Sequence, residues 1–241
     1  MHCSARQSGA ALLILMTILG LIGALFAMRL FGEGNRLAQA STTTAATLRE
    51  ATDALIGYAA AQALPHLPCP DRAAPVGGAT TNDGQEDRNP ATGACIVYEG
   101  NLPWLTLGIP GKDPWGNRLR YRVDRNFADV APTNPGGIQL ATLPAVPITV
   151  NNATGGLIAN GLPLVVLSHG QNAWGATSGG GVVIANPPAA NTNERENTDG
   201  DSTFVSAPRA DNTAAGGEFD DQVGWLTTVQ LIGRLQAAGR L

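Results

Sequence analysis

Two stretches of the sequence concentrate side-chain oxygens in the manner of cation-binding loops. The first covers residues 82–87 and the second residues 193–201, with Asp220 and Asp221 further along the chain. Hard cations such as calcium take six to eight oxygen ligands, and acidic loops with a glycine turn can supply them. Neither stretch matches an EF-hand, and such sequences are also common in solvated turns. We therefore expect no cofactor, keep calcium as the one candidate ion, and assign no metal ligands.

Ser168 and His169 follow an apolar run and are the residues that could act in nucleophilic catalysis. A serine hydrolase needs a base held against the serine, and α/β-hydrolases place the serine in a G-x-S-x-G turn. Here the sequence reads V-L-S-H-G, and His66 is the only other histidine beyond the N-terminal segment. No dinucleotide fingerprint, phosphate loop or H-E-x-x-H motif is present. We expect that the protein is not an enzyme.

Three arginines alternate with three apolar residues over residues 118–123. Such alternation is typical of an antiparallel strand with one wet face. A row of arginines on that face could bind anions, although a solvated strand face is the commoner arrangement. The arginines are Arg118, Arg120 and Arg122, and the apolar residues are Leu119, Tyr121 and Val123.

Length and charge limit the classes of partner. The chain has 241 residues, a formal net charge of −4 and 44% hydrophobic residues, enough for one domain with an appendage. It contains no basic tract that could follow a phosphate backbone, so nucleic acid is excluded as a partner.

An uncharged apolar run covers residues 10–28. As a helix it would be about 28 Å long, close to the thickness of the bilayer hydrocarbon. A cleaved secretory signal is the alternative, but its apolar region is shorter and ends at small residues. We therefore expect a transmembrane helix over residues 10–30. Arg6 favours a cytoplasmic N-terminus, so the chain from Glu33 onward is expected outside the cytoplasm.

The helical pattern continues beyond the apolar run. Leu37, Leu48, Leu55 and Ala59 lie on one helical stripe, and Pro65 is the first proline to interrupt it. This predicts an amphipathic continuation of the helix over residues 31–64 and a globular extracytoplasmic domain over residues 65–241.

Short strands are expected within that domain. Residues 163–167 are apolar throughout and predict a central strand, whereas Pro144 and Pro147 reduce residues 143–150 to an edge or a loop. Further strands are expected at residues 181–185, 202–205 and 222–226, and residues 67–95 are expected to form an exposed loop. A capping box predicts a C-terminal helix beginning at Thr227 and ending near Gly239.

The N-terminal segment resembles that of type IV pilins and type II secretion pseudopilins: a short leader ending in Gly9, an apolar run from Ala10 and a long amphipathic continuation. The D-P-W-G-N sequence at residues 113–117, with L-P-C-P-D and L-P-W-L-T-L-G before it, resembles one subgroup of prepilin-type proteins. The two resemblances cover most of the chain. They imply a leader over residues 1–9, cleavage after Gly9 by prepilin peptidase, and methylation of Ala10.

The resemblance also implies a fold and a function. The expected fold is α+β and pilin-like, with the long N-terminal helix packed on a small antiparallel sheet. The expected function is that of a structural minor pilin or pseudopilin subunit of a type IV pilus or type II secretion pseudopilus, with other such subunits, prepilin peptidase and the inner membrane as partners. The resemblance also implies a single-pass protein of the bacterial inner membrane, with a cytoplasmic N-terminus and its C-terminal domain in the periplasm or in an extracellular filament. Ile14 stands where most family members carry glutamate, and subunits lacking that glutamate resemble those at a filament tip. An N-terminally anchored periplasmic binding protein that does not assemble is the alternative.

The redox state of the cysteines is inferred from the compartment in which the chain is expected to lie. Cys3 lies in the leader, which leaves Cys69 and Cys95 for the mature chain. An exported chain meets an oxidising environment, so we expect a disulfide between them, with two free buried thiols as the alternative. Two isolated cysteines without a nearby histidine pair are a poor metal site.

Overall fold

The computed structural model describes residues 8–73 and 81–241, and it describes the side chains of the first helix only for residues 12–26 and from residue 34 onward. The chain divides into two units, Met1–Thr42 and Thr43–Leu241. The predicted leader lies largely outside the described residues, and Gly9 and Ala10 lie in the first turn of the helix, without described side chains.

One long helix, α1, covers Ser8–Ala61. It contains no proline, and its end lies just before Pro65, whose missing N–H and fixed φ prevent continuation. In the first unit the described side chains from Leu12 to Phe26 are all exposed. In the second unit, Leu48, Ala51, Leu55 and Ala59 of the same helix are buried.

The prediction of a transmembrane helix over residues 10–30 is wrong. Among the residues that the structure describes, no helix is both long enough and apolar enough to cross a membrane. The predicted single-pass inner-membrane location, with a cytoplasmic N-terminus and a periplasmic domain, is corrected with it.

The second unit is α+β and contains two small sheets. Its seven strands are β1 (Glu99–Asn101), β2 (Arg120–Val123), β3 (Ile148–Asn151), β4 (Leu157–Leu162), β5 (Leu164–Ser168), β6 (Thr203–Val205) and β7 (Gln222–Leu226). The larger sheet is antiparallel, with the order β1-β2-β5-β7. The smaller sheet has the order β4-β3-β6, in which β3 pairs antiparallel with β4 and parallel with β6.

Four further helices lie in the described residues of this unit. They are α2 (Trp104–Leu107), α3 (Arg125–Ala128), α4 (Thr192–Glu196) and α5 (Thr228–Ala237). The predicted capping box at the start of α5 is confirmed, because the Thr227 hydroxyl accepts from the Gln230 N–H and the Gln230 side chain accepts from the Thr227 N–H. Gly239 follows the helix with a φ of +68°, a backbone conformation that favours glycine.

The core lies on both faces of β5. One face packs with α1 and α5, and the other faces the smaller sheet, so a strand of apolar residues without alternation is buried throughout. The α1 side contains Leu48, Leu55, Tyr121, Leu164, Val166, Leu226 and Leu231; the side of the smaller sheet contains Ile148, Val150, Leu162, Val165, Leu167 and Phe204.

Other local expectations are corrected. Residues 148–151 form β3, the middle strand of the smaller sheet, because Pro144 and Pro147 both lie before its first ladder position. Residues 181–185 contribute a single bridge, Val183 to Thr177, and no strand. The expected exposed loop over residues 67–95 begins with six buried residues, Leu67 to Arg72, which pass beneath Tyr121 and pair with β1.

Candidate functional site

Three carboxylates converge at one point of the second unit. Glu194 lies on α4, and Asp220 and Asp221 immediately precede β7, so the segment between α4 and β7, which includes β6, returns the chain to the same place. Their ligand oxygens all lie within 4.8 Å of one another. We call Glu194, Asp220 and Asp221 the carboxylate cluster. Its members are only 1%, 8% and 4% exposed, which is unusual for acidic side chains.

Amide groups hold the carboxylate cluster in place. Glu194 Oε1 accepts from the Asn172 side chain (2.7 Å) and from the Asp220 N–H (3.0 Å). Asp220 Oδ2 accepts from the N–H groups of Gln171 (3.0 Å) and Asn172 (3.2 Å). The Asn197 side chain donates to Asp221 Oδ2 (2.8 Å). These donors are neutral, so they orient the carboxylates without compensating their charge.

No lysine or arginine forms an ion pair with these three carboxylates in the described part of the chain. The nearest ion-pair partner is His169, whose Nδ1 lies 3.6 Å from Asp221 Oδ1, too far for a hydrogen bond. Asp220 Oδ1 and both ring nitrogens of His169 are buried without a hydrogen-bond partner. A buried polar atom without a partner carries its full desolvation cost, so this location lacks a group that would satisfy it.

The pKa values reflect the same uncompensated burial. Burial, together with the negative charge of Asp221, raises the pKa of Glu194 to about 7 and that of Asp220 to about 6, although hydrogen bonds from Asn172 lower both. Ionised carboxylates are therefore disfavoured there unless a cation joins them.

The donor set fits a hard cation. Oxygens bound to one calcium ion at about 2.4 Å lie at most about 4.8 Å apart, and one oxygen from each member of the carboxylate cluster lies within that limit of the others. Glu194, Asp220 and Asp221 would hold such an ion, which would supply charge compensation and a structural link between α4 and the start of β7.

The two predicted oxygen-rich stretches have different outcomes. In the second, Glu194 joins Asp220 and Asp221, whereas Glu196, Asp199 and Asp201 form a separate, more exposed group. In the first, the carboxylates bind protein groups: Glu86 accepts from the Tyr58 hydroxyl and the Cys69 N–H, and Asp87 pairs with Arg72 at 2.8 Å. Asn197, which binds Asp221, lies within the second predicted stretch, whereas Asn172 was not predicted because it carries no signal beyond that of a turn residue.

Ser168 and His169 are not paired with each other. The Ser168 hydroxyl donates to Asp113 Oδ2 at 2.7 Å, and both side chains are buried. The serine and the imidazole therefore lack the hydrogen bond that a nucleophile and its base require.

The predicted disulfide between Cys69 and Cys95 is present, with the two Cα atoms 5.3 Å apart. It joins the buried start of the segment that follows α1 to the chain that leads into β1. Both sulfurs lie in the interior, with Cys69 wholly buried.

The alternation over residues 118–123 is confirmed, with Leu119, Tyr121 and Val123 buried. The three arginines on the other face are half-buried. Arg120 and Arg122 both form ion pairs with Glu99 of the neighbouring strand β1. Arg118 instead stacks over the Trp104 ring, 3.5 Å from its centroid. The three arginines are therefore not equivalent.

Among the described residues, buried polar atoms without a hydrogen-bond partner are found at the carboxylate cluster and His169, and also at Asp71 and Arg240. The chain was compared with family models, with curated proteins and with solved structures, and none of the three comparisons found a match.

Proposed function

We propose that this protein is a structural subunit of a pilin-like filament, a minor pilin of a type IV pilus or a pseudopilin of a type II secretion system. The observation that carries the proposal is the apolar surface of α1 between Leu12 and Phe26. Its large apolar side chains are 48% to 68% exposed. A helix that is apolar on all sides requires burial, and in the filaments that the resemblance implies, the same segments of other subunits supply it.

The distribution of these side chains around the helix favours burial in a bundle of helices over docking into a single groove. Residues 12–16 are apolar without interruption, and five consecutive residues cover more than one full turn of a helix. A helix docked into one groove would bury one stripe and leave the opposite face polar. Further along the same helix, Leu48 to Ala59 follow that one-sided pattern against the globular domain. The N-terminal part of α1 thus has a surface suited to contacts with other subunits on all sides, whereas the C-terminal part packs on one side against its own globular domain.

Substitution on the apolar surface tests this proposal. We expect Leu21→Arg to abolish assembly of the purified full-length chain, alone or with its partner subunits, because a charge would face the apolar side chains of neighbouring helices. Leu143→Arg is the matched control, since Leu143 is equally apolar and exposed (71%) but lies in the globular domain. Sedimentation velocity and electron microscopy measure assembly. Equal assembly of the Leu21→Arg chain would contradict the proposal, and so would an equal loss in both variants.

We also propose that the globular domain binds a calcium-type cation at the carboxylate cluster. The buried, partnerless Asp220 Oδ1 and the absence of a lysine or arginine ion pair at the described cluster support this second role. A cation bound only by the folded state raises stability by mass action.

Thermal unfolding of the full chain tests the cation site. We expect calcium to raise the Tm by several degrees over the value in chelator, and Asp220→Asn to remove that increase. Asp199→Asn is the control, because it removes a carboxylate from the separate exposed acidic group. A calcium effect that survives Asp220→Asn and disappears in Asp199→Asn would place the ion elsewhere.

A further inference from the structure

A small cavity of about 160 Å³ lies against β1 and β2 on the face that carries the arginines. It is smaller than the roughly 300–1,000 Å³ pockets of drug-sized ligands, so it suits a compact group. The polar side chains that line it belong to Asn101, Arg118, Arg120, His169, Thr177 and Asn186. We call this space the Arg118 cavity.

Arg118 brings a positive charge to the cavity, and the buried Asp71 carboxyl acts on that charge electrostatically without forming an ion pair with it. Its Nε donates to Asn82 Oδ1 (3.2 Å) and its Nη2 donates to the carbonyl of Gly179 (3.3 Å), and both acceptors are neutral. Within the described residues, no carboxylate forms an ion pair with it, and its other neighbour is the Trp104 ring. Stacking fixes the plane of the guanidinium, so its remaining N–H groups keep a defined direction.

The neighbouring charges leave this part of the surface positive. Glu99 also lines the cavity, but its two oxygens are used by Arg120 and Arg122. Three arginines against Glu99 and an ionised Asp71 give these five side chains a net charge of +1. An anion would meet a carboxylate that is already neutralised.

His169 is the second, independent observation. It lines the cavity, is 1% exposed, and has no hydrogen-bond partner for either ring nitrogen. A neutral imidazole has one N–H donor in either tautomer, and a buried donor without an acceptor costs stability. A ligand with several acceptor oxygens would satisfy it.

We propose that the Arg118 cavity binds a small oxyanion, a carboxylate or phosphate group, with Arg118 supplying the charge and the planar donor pair and His169 a buried polar contact. Arginine recognises both groups through parallel N–H bonds. From the sequence alone, the row of three arginines could form an anion-binding stripe. In this proposal only Arg118 binds the anion, while Arg120 and Arg122 form ion pairs with Glu99.

Equilibrium dialysis of the full-length chain with radiolabelled inorganic phosphate and radiolabelled acetate tests this site, with chloride at equal ionic strength as the competitor. We expect saturable binding of at least one oxyanion that chloride does not displace. Preference for acetate would identify a carboxylate ligand, and preference for phosphate a phosphate ligand. Absence of saturable binding of both, or displacement of both by chloride, would overturn the proposal.

Variants locate the binding. Arg118→Gln should weaken binding about tenfold or more, because a charge-assisted pair is lost. Arg234→Gln is the control, because Arg234 is exposed, pairs with Asp53 and does not line the cavity, and it should leave binding within about twofold. Arg118→Lys keeps the charge without the planar fork and should also weaken binding, which preserves the test if Arg118→Gln does not fold. Unchanged binding in the Arg118 variants would contradict the assignment.

Discussion

Asp71 illustrates at the residue scale how a buried carboxyl couples this fold to pH. The side chain is wholly buried, and its Oδ2 accepts from the Gly84 N–H at 3.0 Å. Its Oδ1 is buried without a partner. Burial raises the pKa of Asp71 to about 6. Since the folded-state pKa lies above the ordinary value near 4, the ionised form destabilises the fold above about pH 6.

We predict that Asp71→Asn removes this pH dependence. The amide keeps an acceptor for the Gly84 N–H and cannot ionise. The free energy of unfolding of the variant should therefore rise relative to that of the wild type at high pH. As pH falls from about 6 to 4, the wild-type carboxyl becomes protonated and the penalty disappears. The difference in unfolding free energy, variant minus wild type, should be about 2 kcal/mol more favourable at pH 7.5 than at pH 4.5.

Urea unfolding at the two pH values measures this difference. Asp53→Asn is the control, because Asp53 forms an exposed pair with Arg234, and such pairs contribute little to stability. A difference for Asp71→Asn that does not change with pH would show that the Asp71 carboxyl is not penalised in the fold.

At this scale the sequence indicated the type of chemistry better than its location. The acidic stretches over residues 82–87 and 193–201 look alike, yet Glu86 and Asp87 bind protein groups while Glu194 joins a carboxylate cluster. The difference depends on contacts between residues far apart in the chain, such as Glu194 with the Asp220 N–H. Residue spacing carries no information on those contacts.

At the scale of elements, the C-terminal part of α1 holds the domain together. Leu55 is wholly buried in the core that α1 shares with β2, β5 and α5. We predict that Leu55→Ala lowers the free energy of unfolding by about 2–5 kcal/mol, since it removes buried methyl groups and leaves a cavity. Leu64→Ala, at a position that is 51% exposed, should change it by less than about 0.5 kcal/mol.

Chemical denaturation of the full-length variants checks this expectation. Equal small effects of Leu55→Ala and Leu64→Ala would mean that the helix does not contribute to the core.

Elements with a strong local pattern could be predicted from the sequence. The arginine-bearing strand β2, the apolar strand β5 and the capped helix α5 carry alternation, continuous apolarity and a capping box, respectively. Strand β3 could not be predicted, because two prolines nearby outweighed its apolar residues. Strand β1 has three residues and is defined only by pairing with β2. Residues 67–72 lack periodicity and are buried only because tertiary contacts cover them.

At the scale of the whole molecule, the division at Thr42 separates two kinds of surface. The second unit contains the disulfide, both sheets, the carboxylate cluster and the Arg118 cavity, whereas the described part of the first is helix with exposed apolar side chains. The sequence pattern predicted the contrast between an apolar helix and a globular domain, but it did not show what covers the apolar helix. An apolar helix over residues 10–28 has the same composition whether lipid or other helices cover it, and composition alone led to the transmembrane prediction that the structure corrects.

Processing at the N-terminus tests the proposal of a pilin-type subunit most directly, because prepilin peptidase acts only on chains with such a leader. Intact-mass analysis would compare the full-length chain from cells with and without the peptidase, with Gly9→Val as the cleavage-resistant control. We predict that only the peptidase-containing cells yield a chain that begins at Ala10 and carries one added methyl group, and that Gly9→Val abolishes this product. A chain that still begins at Met1 in both cells, or a new terminus beyond Met28, would contradict the proposal.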